Sequence, residues 1–173
     1  MGHTLSKRLI GFALCSAVLS FCAYLLFFLV WNVLFFYSTL GLVLPWVAAL
    51  ILHIPAGGVV AQRHQLPCPG WKESLVFLAV VGAAYAGAAS FLWNSPLSVS
   101  YSLYELVILH INPVMGFLEE AGFLLPFSWY EVLFLPGGFF LTHLISALLP
   151  AGLFLTGMVF WRKSWLTRDK TVV

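Results

Sequence analysis

From Leu9 to Gln62 the chain carries no Asp, Glu, Lys or Arg, an uncharged stretch bounded by Arg8 and Arg63. A helix needs roughly 20 apolar residues, each rising about 1.5 Å, to cross a hydrocarbon core of about 30 Å. The stretch is therefore long enough for two crossings, and it reads as helices over 9–36 and 41–61 joined by a turn near Ser38, Thr39 and Gly41. Two further apolar runs, 74–94 and 139–161, have the same length and character. The expected fold is an all-α integral membrane protein of four transmembrane helices, a single polytopic domain over residues 1–173.

Composition points the same way. Of 173 residues 62% are apolar and 8% charged, with a mean hydropathy of +1.00, against about 25% charged in an ordinary soluble domain. A short chain has much surface for its volume, so in water it would expose wide apolar patches. The lipid bilayer is the partner this composition demands. A net charge of +2, with no basic stretch interleaved with aromatics, excludes a nucleic-acid partner. Cys15, Cys22 and Cys68 are too few and too scattered for a disulfide framework or a zinc site, and read as small hydrophobes. No cofactor is expected.

Orientation follows from the basic residues, which are retained on the cytoplasmic side of short loops. All eight lie at the N-terminus (Lys7, Arg8), after the second helix (Arg63, Lys72) or in the tail (Arg162, Lys163, Arg168, Lys170). Four crossings put these three places on one side, with both termini cytoplasmic and the plasma membrane as the expected location. Lys7 and Arg8 before a long apolar run read as a retained signal anchor. On the opposite side falls the segment 96–136, apolar yet interrupted by Glu105, Glu119, Glu120, Glu131, Pro113 and Pro126. Its proline-bounded pieces are too short to span and its carboxylates too costly at mid-bilayer, so an interfacial or re-entrant segment is expected.

Ionisable groups within a span carry a functional hypothesis by default, and His53 and His143 are such groups. Counted from the cytoplasmic ends of their helices they differ in depth by roughly 14 Å, too far to share one haem or metal. A second grouping joins His143 to His110, Glu119 and Glu120 in the outer leaflet. Carboxylates and imidazoles together bind zinc or act as base and acid on a water, with His110 and His143 the candidate metal ligands. The stretches LEEAGFL, holding Glu119 and Glu120, and FFLTH, with Phe139 four residues before His143, resemble the EExxxR and FxxxH elements of the CAAX-processing intramembrane proteases. Leu124 stands at the arginine position. The resemblance implies a hydrolase in which Glu119, Glu120 and His143 surround an attacking water.

The leading functional expectation is different. No nucleotide-binding, nucleophile-elbow or HExxH motif is present. In the third helix Gly82, Ala83, Ala86, Gly87 and Ser90 repeat small residues at helical spacing, a face suited to another helix of the same chain, of a partner subunit or of a second copy. Gly57 and Gly58 could hinge the second helix, while Pro136 to Gly138 read as the turn that opens the fourth. The chain is thus expected to be a non-catalytic subunit, assembly factor or permease-like component of a membrane complex, with the hydrolase as the alternative.

Overall fold

The computed structural model describes residues 2–32, 39–93, 113–122 and 138–168. They form five helices: α1 (Gly2–Asn32), α2 (Thr39–Arg63), α3 (Trp71–Trp93), α4 (Pro113–Gly122) and α5 (Gly138–Arg168). There is no strand among them. All but α4 are long and apolar enough to cross a membrane, whereas ten residues of α4 reach only about 15 Å. The four long helices overlap the sequence-derived runs, whose expected ends at 36 and 94 lie outside the described residues. Two ends differ: α1 starts at Gly2 rather than residue 9, and α5 runs on to Arg168 rather than 161.

The helix ends follow local chemistry. At the end of α2, Gln65 takes φ 48°, its N–H bonds the Gln62 carbonyl at 3.1 Å, and the Leu66 N–H bonds the Ala61 carbonyl at 2.9 Å. This is a Schellman closure with glutamine in the left-handed position, and Pro67 beyond it forbids further helix. Buried Leu66 inserts into the core. Pro113 opens α4 at the position where a missing N–H costs nothing.

The outside is as apolar as the core, unlike that of a water-soluble bundle, and several polar side chains are enclosed. Ile10, Leu14, Phe21, Leu44, Ile51, Phe91, Ile145 and Phe160 are exposed, while Ser16, Ser20, His53, Thr142, His143 and Ser146 are buried. The exposed Thr156 conceals its hydroxyl by donating to the Gly152 carbonyl at 2.8 Å, as a hydroxyl facing hydrocarbon must. Such a molecule is compatible with a multi-pass membrane protein.

The helices alternate in direction. α1 packs against α2, α2 against α5, and α3 principally against α5. All four long helices meet at Phe12, whose ring lies 5.7 Å from that of Phe77 on α3, 5.5 Å from that of Phe154 on α5 and 6.1 Å from that of His53 on α2. The first two contacts are edge-to-face, the arrangement that aromatic quadrupoles favour. Toward the opposite end Trp46 and Ala49 of α2 pack on Ala23 of α1 and are joined by Phe117 of α4. Gly116 lies directly on the Trp46 indole, where a Cβ would fall 2.6 Å from the ring. The short helix is therefore embedded between α2 and α5 at its N-terminal half, with Pro113 and Val114 buried.

Two glycines bring the backbones of α2 and α5 close together. A Cβ on Gly57 would overlap the Phe154 carbonyl, and a Cβ on Gly157 would overlap the Ile54 carbonyl. The Cα hydrogens of each glycine thus face a backbone oxygen of the other helix, the geometry of weak Cα–H···O bonds. On the small-residue face of α3 the residues divide. Gly82 and Ala86 are buried, Gly82 against Leu144, and Ser90 is half-buried, whereas Ala83 and Gly87 point outward and a Cβ on Gly87 would meet nothing within 4 Å.

Gly57→Ala and Gly157→Ala are each expected to force the two backbones apart, at a cost of about 1–3 kcal/mol. Gly87→Ala should be nearly neutral. Thermal unfolding of the purified variants in detergent checks the ranking, and equal effects at positions 57 and 87 would contradict the crossing.

Candidate functional site

One face of α1 reads Arg8, Phe12, Ser16, Ser20, Ala23, at spacings of four, four, four and three, and all five are buried. In a helix surrounded by apolar neighbours, this polar and small stripe is the face turned to the protein. Arg8 opens it. The side chain is 1% exposed; Nη1 donates to Glu73 Oε2 at 2.7 Å and Nη2 to the Pro67 carbonyl at 2.8 Å. Glu73, in the first turn of α3, keeps its side chain 24% exposed, so the pair has a buried cation and a carboxylate at the rim. Pro67 lies in the link between α2 and α3. A single guanidinium therefore binds α1, the link and α3 at the end where the basic residues gather. Its Nε has no partner.

Sequence reasoning used Arg8 only as a topology signal and did not single out this centre. Two signals were available: Arg8 is in register with Ser16 and Ser20, and Glu73 directly follows Lys72 at the end where basic residues gather.

Further along the same interface sits His53, fully buried on α2. Its Nδ1 lies 2.7 Å from the Ala49 carbonyl oxygen. A carbonyl only accepts, so Nδ1 carries the hydrogen, and in the neutral imidazole Nε2 is left as an acceptor. Neither His53 Nε2 nor Ser20 Oγ has a partner. Ser20 precedes Ala23 by about one turn and His53 follows Ala49 by about one turn, so both unpartnered groups fall on the α1–α2 contact that Ala23 and Ala49 help to build. Tyr85 of α3 reaches into this interior with a hydrogen bond to Ser16.

His143, 1% exposed, occupies the other half of the bundle. Phe12 touches both His53 and Phe154, and Phe154 lies eleven residues after His143, about 16 Å along the α5 axis. The two histidines are therefore at different depths. Around His143, Thr142 donates to the Gly138 carbonyl at 2.8 Å, and Ser146 lies 3.3 Å from Met115 Sδ of α4. The side chains of Glu119 and Glu120 lie outside the described residues although their backbone belongs to α4, and His110, Glu105 and Glu131 lie outside them altogether. Among the described residues no three His, Cys, Asp or Glu side chains gather closely enough to hold a metal ion. No protein-family model, no curated protein and no solved structure matches the chain, so the hydrolase resemblance rests on the quoted stretches alone.

Breaking the Arg8 pair from its two sides should give unequal effects. Glu73→Gln leaves a buried cation with neutral oxygens alone, whereas Arg8→Leu leaves a carboxylate that water can reach. Glu73→Gln is expected to lower the unfolding temperature more, and the Arg8→Leu/Glu73→Gln double variant to lose less than the sum of the singles, as coupled residues do. Strict additivity in detergent-solubilised protein would contradict the link.

Proposed function

We propose that this chain is an integral membrane protein of four spans, with both termini in the cytoplasm, acting as a non-catalytic helical component of a membrane complex: a subunit, an assembly factor or a permease-like part. The observation that carries the reading is the apolar outer surface. Large aliphatic and aromatic side chains cover the outside while serines, histidines and an arginine are enclosed. In water the exposed set would drive aggregation, and in hydrocarbon the enclosed set would have nowhere else to go. Burial of polar side chains against backbone carbonyls, as with Thr142, His53 and Arg8, fits a scaffold whose polar groups serve its own packing.

Orientation is supported by the gathering of basic residues at one end. Arg8 holds the link after α2, and Trp161 on α5 lies against Gly58 near the end of α2. The start of α1, the α2–α3 link and the end of α5 thus share that end, where retention of Lys and Arg places the cytoplasm. Partner binding is assigned to the outward Ala83 and Gly87, a small-residue strip on α3 that a neighbouring helix could approach closely. α4 would be the re-entrant piece, entering from the opposite side between α2 and α5.

Topology can be measured by cysteine accessibility after removal of the native cysteines. A cysteine at Gln65 or Thr167 is expected to resist an impermeant thiol reagent in intact cells, and one at Ser98 or Ser128 to react; labelling at Gln65 from outside would reverse the orientation. For the partner face, Gly87→Leu should leave the isolated chain as stable as the wild type yet shrink the complex recovered in mild detergent. An unchanged complex would remove α3 as the contact.

A further inference from the structure

Beside the α2–α5 crossing a groove of about 420 Å³ opens outward, lined by Ile54, Pro55, Gly157, Phe160 and Trp161. Its origin is local. The crossing brings the two backbones together at Gly57 and Gly157, and Gly157 contributes no side chain to fill the angle between the helices. Pro55 contributes only a short ring, and lacking an N–H it also leaves the Ile51 carbonyl without its usual helical donor. Phe160 and Trp161 form the wall nearer the basic end; the Trp161 ring lies 3.0 Å from where a Cβ of Gly58 would stand.

On the reading of the chain as a membrane protein, we propose that this groove is a binding site for one acyl chain of an anionic phospholipid of the cytoplasmic leaflet. The volume falls within the roughly 300–1,000 Å³ of ordinary ligand sites, and the lining is wholly apolar, which suits a hydrocarbon chain and offers nothing to a polar metabolite. Charge selects the headgroup. The groove ends at Trp161, a residue type that settles at headgroup depth, and Arg162 and Lys163 follow it directly along α5. Arg63 closes α2 eight residues beyond Pro55, about 12 Å further toward the same end. A chain lying in the groove therefore runs toward the end at which Arg63 closes α2 and the sequence of α5 continues with Arg162 and Lys163, and basic positions at the cytoplasmic surface favour anionic lipid. Both helices that flank the site also meet at the crossing, so a bound chain would fill the space that the crossing leaves open.

The test is native mass spectrometry of the purified full chain, released from detergent containing equimolar phosphatidylglycerol and phosphatidylcholine. The wild type is expected to retain one phosphatidylglycerol with about tenfold preference. Arg162→Gln/Lys163→Gln should abolish the preference while still binding lipid, and Phe160→Ala, an exposed position, should weaken retention of both lipids without lowering the unfolding temperature. Equal retention of the two lipids by the wild type, or a preference unchanged in the double variant, overturns the proposal, as does a co-purifying polypeptide whose removal is required before lipid binds. A chain that stays monodisperse without detergent would instead overturn the membrane reading itself, and lipid retention in detergent separates the two failures.

Discussion

Everything in this molecule hangs on the contact of two backbones where α2 crosses α5. On the proposed membrane reading there is little hydrophobic drive for helices to associate, so affinity comes from dispersion at close range and from weak polar contacts. Gly57 and Gly157 supply both by letting each helix rest on the other's carbonyl oxygens. The remaining helices are arranged around that pair: α1 on the flank of α2, α3 on the flank of α5, and α4 in the wedge at the far end. A substitution that widens the crossing would loosen contacts made by helices that never touch it, because the aromatic cluster at Phe12 includes Phe154, the residue whose carbonyl Gly57 faces.

The second organising constraint is the fate of polar groups. A hydroxyl or ring nitrogen enclosed in such a bundle is stabilised by a partner inside the chain, which Ser20 Oγ and His53 Nε2 lack. Backbone carbonyls are the commonest answer here: Gly138 accepts from Thr142, Ala49 from His53, and Pro67 from Arg8. Two of these partnerships are internal to one helix and secure only a side chain. Arg8 differs, since its partners lie 59 and 65 residues further along the chain, and it converts a desolvation problem into a tertiary tie.

The spans were legible because they depend on length and hydrophobicity alone, and an uncharged run from Leu9 to Gln62 admits few alternatives. Helix packing was less legible, because small residues are frequent throughout. Gly57 and Gly87 look alike as letters, yet one touches a carbonyl and the other faces outward. What separates them is the angle at which α2 meets α5, which arises from the fold as a whole. Arg8 was passed over for a comparable reason: a basic residue before an apolar run is ordinarily solvated, and only the stripe of Phe12, Ser16 and Ser20 behind it marks the inward direction. Glu119 and Glu120 are the reverse case, conspicuous in sequence although their side chains fall outside the described residues.

The tie made by Arg8 also imposes an order on biogenesis. Its cation enters the nascent bundle with α1, but Glu73 is synthesised 65 residues later, which at about 5–20 residues per second is a delay of roughly 3–13 s. During that interval the inward face of α1 begins with an unmatched charge. A buried guanidinium without its carboxylate is costly, so the enclosure of Arg8 seen in the folded chain is completed only by the start of α3. The pair of α1 and α2 thus carries a cation whose carboxylate partner a third helix supplies.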